Sequence, residues 1–259
     1  MNVGLALRKT KQRIDALDAE VIFLKAIKER DRSYLAIHDD RVLTDAEELA
    51  IEWMVSRREK GEPLAYILGQ KEFYSRDFLV TKDVLIPRPE SEEIINIVKN
   101  LDVQKIVDVG TGSGCLAVTL ALEMPRAKIT GLDISKQALL VATSNAIELG
   151  ARVEFLQSDL LSAVKDEKFD VVVANLPYVD ISWPWRGREL DWEPGLALYA
   201  GDHGMEIIKK MIRQAHGKTK YLVLEADPCQ HEMIVQYAQK YNFCLNEVRG
   251  FVLLLENLV

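Results

Sequence analysis

Apolar and polar positions divide the chain in two. Up to about residue 68 the apolar residues recur at helical spacing. Leu17, Val21, Leu24 and Ile27, continued by Lys28, form one stripe with charged residues opposite. Thr44-Asp45-Ala46-Glu47 has the form of a capping box, with the Thr44 hydroxyl accepting an N–H at the helix start and Glu47 reaching back to the cap. The helix it opens should run to about Lys60 and stop at Gly61 and Pro63. Residues 1–68 therefore read as a small helical domain. It carries no cluster of reactive side chains, so bracing or substrate recognition is its expected use.

From about Leu68 to Val84 the aromatic and β-branched positions Phe73, Tyr74, Phe78 and Val80 predict a short hairpin. It leads into Leu85-Ile86-Pro87-Arg88-Pro89-Glu90-Ser91. Two prolines at alternate positions fix φ and exclude regular helix or a central strand. Residues 69–90 are thus a hairpin and a rigid loop, which either presents Arg88 or simply links. Glu92 to Asn100 should be a helix, and residues 91–259 a second domain.

From Lys105 onward strand and helix patterns alternate. Strands are expected at Ile106–Val109, Lys128–Leu132, Val153–Leu156, Phe169–Ala174 and Tyr221–Glu225. Helices are expected at Cys115–Glu123, Lys136–Leu149 (closed by Gly150), Met205–Ala215 and Cys229–Lys240. Repeated β-α units predict an α/β fold, a doubly wound, mostly parallel sheet. Two final strands, Phe243–Val248 and Phe251–Leu255, leave no room for a helix between them. They must form an antiparallel hairpin at one edge.

Charge changes this picture little. The 259 residues carry a formal charge of -7, and residues 1–75 hold 13 Lys/Arg against 14 Asp/Glu, leaving 20 against 26. The missing basic excess counts against a nucleic-acid binder. Cys115, Cys229 and Cys244 lie far apart, and the four histidines form no H-x-x-x-H spacing, so neither disulfides nor a metal site is expected. The cysteine usage suits a reducing cytosol. Met1 to Ile14 lacks the apolar core of a signal peptide, and no run nears 18 apolar residues.

Candidate chemistry falls at the ends of four predicted strands. Asp108-Val109-Gly110-Thr111-Gly112-Ser113-Gly114 is a glycine loop at a strand-to-helix junction, able to approach a ligand and present N–H groups. Cys115 stands where a dinucleotide fingerprint wants glycine, and no Lys-Ser/Thr pair follows for a P-loop. Asp133, about 20 residues on, can accept both hydroxyls of a ribose, or can cap a helix. Asp159, before Leu160, can face an adenine amino group or begin a helix. Asn175-Leu176-Pro177-Tyr178 ends the buried run Phe169–Ala174, either as a plain turn or as polar groups facing a cleft. Jointly these describe a class I methyltransferase site for S-adenosylmethionine: ribose on Asp133, adenine near Asp159 and Leu160, the methionine end over the glycine loop, and the methyl toward Asn175.

Over nearly its full length the chain resembles the protein-(glutamine-N5) methyltransferases that modify the Gln of the Gly-Gly-Gln motif in peptide chain release factors. The resemblance rests on Arg58 to Gly69, Glu72-Phe73-Tyr74, Val84 to Glu92, Asp108 to Gly114, the Asn-x-Pro-Tyr motif and Trp192 to Leu198. It implies a seven-stranded sheet, S-adenosylmethionine as methyl donor, and a cytoplasmic, monomeric enzyme that needs no metal or membrane. It implies Asn175, Leu176, Pro177 and Tyr178 as the amide-binding, catalytic motif. Departures are Leu176 where the family has Pro, Ser91 for Thr, Glu225-Ala226-Asp227 for Glu-Ile-Gly, and Leu160 for an aromatic. They leave room for an impaired or retargeted paralogue. A ribosomal-protein glutamine methyltransferase, an adenine-N6 nucleic-acid methyltransferase and a cofactor-binding adaptor are the rival readings. Trp183-Pro184-Trp185-Arg186-Gly187-Arg188, with Trp192 close behind, forms either a substrate-contacting loop through Trp185 or a loop folded on its own domain.

Overall fold

The computed structural model describes residues 1–183 and 189–258. The chain separates into two units, one of residues 1–69 with 187–192, the other of residues 70–186 with 193–259.

The first unit is helical: α1 (Val3–Thr10), α2 (Ala16–Ile27), α3 (Ser33–Ile37), α4 (Asp45–Glu59) and α5 (Leu64–Leu68). Local sequence sets the helix ends. Asn2 and Asp15 accept N–H groups of the first turns of α1 and α2, and Lys28 ends α2 at φ 59°. The Thr44–Glu47 capping box forms at α4, and Arg41 adds two hydrogen bonds to the Glu47 carboxylate. Ile22, Phe23, Ile51, Met54, Val55 and Ile67 share one core. One expected position is wrong: Leu17 is exposed, and α2 buries Ala19, Ile22 and Phe23 alongside the expected Leu24 and Ile27. The stripe through Leu17 and the stripe through Ile22 share Leu24 and Ile27, and the larger Phe23 decides which turns inward.

The second unit begins with the hairpin β1 (Gln70–Phe73) and β2 (Arg76–Leu79), followed by α6 (Glu92–Val98). Then come β3 (Lys105–Val109), α7 (Cys115–Glu123), β4 (Lys128–Asp133), α8 (Lys136–Leu149), β5 (Val153–Gln157) and β6 (Phe169–Asn175). The chain continues through β7 (Val179–Asp180), α9 (Gly195–Leu198), β8 (Tyr199–Ala200), α10 (Glu206–Ala215), β9 (Thr219–Glu225), α11 (His231–Gln239), β10 (Phe243–Arg249) and β11 (Val252–Asn257). The two-residue strands β7 and β8 pair in parallel, an element too short to leave a periodic signal.

The main sheet has seven strands in the order β10-β11-β9-β6-β3-β4-β5. Five run parallel, and β11 is antiparallel to both β9 and β10. Alternate residues of β6 serve opposite cores: Val172 and Ala174 join Leu222 and Ile208, whereas Val171 and Val173 join Ile94 and Leu116. A strand buried on both faces has no polar position inside, which explains its continuous apolar run. The chain winds outward from β3 to β5 and returns to β6 on the other side of β3. The carboxyl ends of β3 and β6 therefore flank the point where the winding reverses, where open α/β sheets bind ligands.

Candidate active site

Glycine at 110, 112 and 114 follows from backbone angles, with φ 77°, 56° and 80°. At Gly110 a side chain would also meet Leu176 Cδ2 at 3.1 Å. Three N–H groups of this loop are held within the protein. Those of Gly110 and Thr111 donate to the Leu132 carbonyl at 2.8 and 2.9 Å, and that of Gly112 to Asp133 Oδ2 at 2.8 Å. β4 thus anchors Gly110, Thr111 and Gly112, and the missing side chains at Gly110 and Gly112 allow close approach. Gly114 lies away from the cavity described below, and a Cβ there would press on Ala142 of α8 at 3.0 Å.

Asp108, fully buried below the loop, also does not line the cavity. Its Oδ2 accepts the Thr111 hydroxyl at 2.6 Å. Burial pushes this carboxyl up to about 7, opposed by the Thr111 hydrogen bond. Asp133 is half-buried, its Oδ1 accepting the Ser135 N–H at 2.9 Å and its Oδ2 that of Gly112. Desolvation raises its pKa. The α8 cap is Ser135, whose hydroxyl accepts the Ala138 N–H, so Asp133 is not spent on capping.

Gly110 to Ser113, Asp133 and Ser135 line a cavity of about 270 Å³, together with Arg88, Asp159, Leu160 and Asn175. Asp159 ion-pairs with Lys210 at 2.5 Å, and its half-exposed carboxylate starts no helix. Leu160 is buried at φ 52°, held by Ser158, whose hydroxyl donates to the Leu160 carbonyl. Arg88 ion-pairs with Glu193, which is buried and also accepts the Ile86 N–H at 2.9 Å. The Pro-Arg-Pro loop is thereby pinned by a carboxylate more than 100 residues away. Glu193 was visible in sequence only as part of a Glu-Pro segment, without a partner. Trp185 lies outside the described residues.

Asn175 closes β6 opposite Glu225 of β9. Its Nδ2 donates to Ser91 Oγ at 2.9 Å, and Ser91 donates to Glu225 Oε2 at 2.5 Å. The Tyr178 hydroxyl donates to Glu225 Oε1 at 3.2 Å. Tyr178 does not line the cavity, so its ring and hydroxyl serve this network. Burial raises the Glu225 pKa, against the hydrogen bonds from Ser91 and Tyr178. Leu176 and Pro177 line the cavity, and the Leu176 side chain is buried in the core against the glycine loop.

The donor set fits a nucleoside-bearing ligand. Asp133 accepts backbone N–H groups at both oxygens, and a carboxylate has about four lone-pair sites, which leaves room for a ribose hydroxyl. Ser113, on the cavity wall, has a hydroxyl with no partner among the described residues. Those residues contain no group of three or more His, Cys, Asp or Glu able to hold a metal ion, and no helix long and apolar enough to cross a membrane.

A seven-stranded sheet with β11 reversed and a glycine loop at the switch point defines a class I methyltransferase fold. Residues 91–182 match the methyltransferase small domain family, and residues 4–69 match the PrmC N-terminal domain. A release factor glutamine methyltransferase of Koribacter versatilis is 45% identical over 205 residues, covering 76% of this chain and 73% of that one. The chain belongs to the release factor glutamine methyltransferase family. A bifunctional methyltransferase of Rickettsia bellii is 33% identical over 90% of this chain, which spans about half (48%) of that protein. Among solved structures, a methyltransferase from Pyrococcus furiosus shares the fold at TM-score 0.58 and 16% identity, over 73% of this chain and 92% of that one.

Proposed function

We propose that this chain methylates the side-chain amide nitrogen, N5, of the glutamine in the Gly-Gly-Gln motif of peptide chain release factors. The observation that carries the reading is Asn175 at the cavity edge, its Nδ2 already engaged by Ser91, which leaves Oδ1 to a ligand. S-adenosylmethionine, when bound, supplies an electrophilic methyl group on a sulfonium. Asp133 would hold the ribose, Asp159 and Leu160 the adenine side, and Gly110 to Ser113 the amino-acid end.

A primary amide is a poor nucleophile, because its nitrogen lone pair is shared with the carbonyl. Its pKa is far above neutrality, so the site cannot act by deprotonating it. Asn175 Oδ1 accepts one N–H of the substrate amide, and the backbone carbonyl of Leu176 accepts the other. Leu176 lies beyond the last paired residue of β6, and Pro177 restricts it to extended backbone. Two such acceptors aim the residual lone pair, and orientation of this kind contributes several kcal/mol. They also stabilise the positive charge that grows on nitrogen as its bond to carbon forms. The surplus N–H proton then passes to water, so no dedicated base is required. Because the Leu176 position acts through its carbonyl, leucine replaces proline there without removing the acceptor.

Incubation with labelled S-adenosylmethionine, a purified release factor, ribosomes and DNA should label the release factor. Label in ribosomes or DNA alone would overturn the proposal. Asn175→Ala should slow single-turnover transfer by about 10²-fold or more while cofactor binding persists.

A further inference from the structure

The amide of Asn175 can present either its oxygen or its NH₂ to a ligand, and only the oxygen serves the proposed reaction. Something must choose. A carboxyl oxygen that accepts a hydroxyl fixes where that hydroxyl's single proton points. Glu225, 2% exposed, has Oε1 met by the Tyr178 hydroxyl and Oε2 by Ser91. Ser91, also 2% exposed, has one proton, and it points at Glu225. Ser91 can therefore offer Asn175 only a lone pair, and Asn175 must answer with Nδ2, at 2.9 Å. Its Oδ1 is left as the other end. The direction of every hydrogen bond in the series follows from the two hydroxyls that donate to Glu225.

We infer that Glu225 and Ser91 are positioning residues that orient the Asn175 carboxamide with Oδ1 toward the substrate amide, an inference that rests on the methyl-transfer reading above. Three separate segments meet in this arrangement. Ser91 stands at the start of α6, Asn175 and Glu225 are register partners on adjacent parallel strands, and Tyr178 lies in the turn beyond β6. Glu225 itself touches no reacting atom, so its effect passes wholly through Ser91 and Asn175. Glutamine at 225 would break the logic at its source. Its NH₂ can donate to Ser91, whose proton is then free to turn toward Asn175 Oδ1 and reverse the amide.

The test compares Ser91→Ala, Ser91→Thr and Glu225→Gln in the full chain. Single-turnover methyl transfer to release factor should fall at least tenfold in Ser91→Ala and Glu225→Gln, with cofactor Kd within about threefold of wild type. Ser91→Thr, which keeps the hydroxyl, should restore kcat to within about threefold. A second readout needs neither cofactor nor substrate. The side-chain amide protons of Asn175, followed by NMR in ¹⁵N-asparagine-labelled protein, should exchange slowly in wild type and Ser91→Thr and rapidly in Ser91→Ala. Equal exchange in wild type and Ser91→Ala, or wild-type kcat in Ser91→Ala, would overturn the inference. So would a Ser91→Thr variant as slow as Ser91→Ala. If Glu225→Gln fails to fold, the Ser91 pair decides. A wild-type enzyme that labels no release factor, with its Asn175 amide protected through Ser91, would sink the proposed function and leave the positioning standing.

Discussion

Gly204 shows how little freedom the residues around the site retain. Asp202, His203 and Gly204 all have positive φ, at 54°, 55° and 80°. A Cβ on Gly204 would overlap the Tyr178 carbonyl oxygen and the Gln230 amide. Gln230, 1% exposed, donates to the carbonyls of both Tyr178 and His203 at 2.9 Å, so it holds the turn after Asn175 against this loop. Gly204→Ala is expected to destabilise the protein by about 1–3 kcal/mol, read as a lower urea midpoint. Leu176 belongs at this scale too. Its mismatch to the family motif reads in sequence as possible impairment, yet its side chain fills the space beside Gly110 and its carbonyl keeps the proposed role.

Among elements, α4 owes its start to local chemistry. The Thr44 hydroxyl accepts the Glu47 N–H at 3.2 Å, and the Glu47 carboxylate returns to the Thr44 N–H at 2.8 Å. Thr44→Ala should cost about 1 kcal/mol of stability, measured as a shift in denaturant midpoint at unchanged slope. The Arg41 hydrogen bond, with that of Thr44, holds the Glu47 carboxyl down at about 2, from an ordinary 4.5. A depressed acid stabilises the folded state fully above its unfolded pKa. The Glu47 contribution is therefore lost as pH falls from about 4.5 toward 2. Chemistry that reaches three residues is legible in sequence, and this box was. The β10–β11 hairpin was equally legible, but not which strand lies inside. β11 takes the inner place because Val252 to Leu255 are all buried, whereas β10 exposes Leu245 and Val248 at the edge.

For the whole molecule, Asp108 acts opposite to Glu47. Its pKa is raised from 3.8 to about 7, so its contribution is full below about 4 and is lost as pH rises to about 7. Asp108→Asn keeps an acceptor for Thr111 and removes the buried charge. In the cofactor-free protein the variant should gain stability over wild type between pH 5 and pH 8, by about 2–3 kcal/mol. Thermal melts of both proteins at the two pH values check this; a difference independent of pH would contradict it.

Short-range pattern determined most of this protein's architecture. Alternating strand and helix runs, one glycine loop and one capping box specify a doubly wound sheet and a helical unit, since each is a matter of periodicity or of residues a few positions apart. Candidate residues at strand ends were legible for the same reason, since a parallel sheet opens its cleft there; Asp133, Asp159 and Asn175 line the cavity, whereas Asp108, Gly114 and Tyr178 do not. What joins them was not. Glu193 reaches Ile86 across 107 positions, Glu225 reaches Ser91 across 134, and Asn175 reaches Ser91 across 84. A hydrogen bond needs its partner within about 3 Å, and for residues so far apart only the folded chain decides which groups come that close.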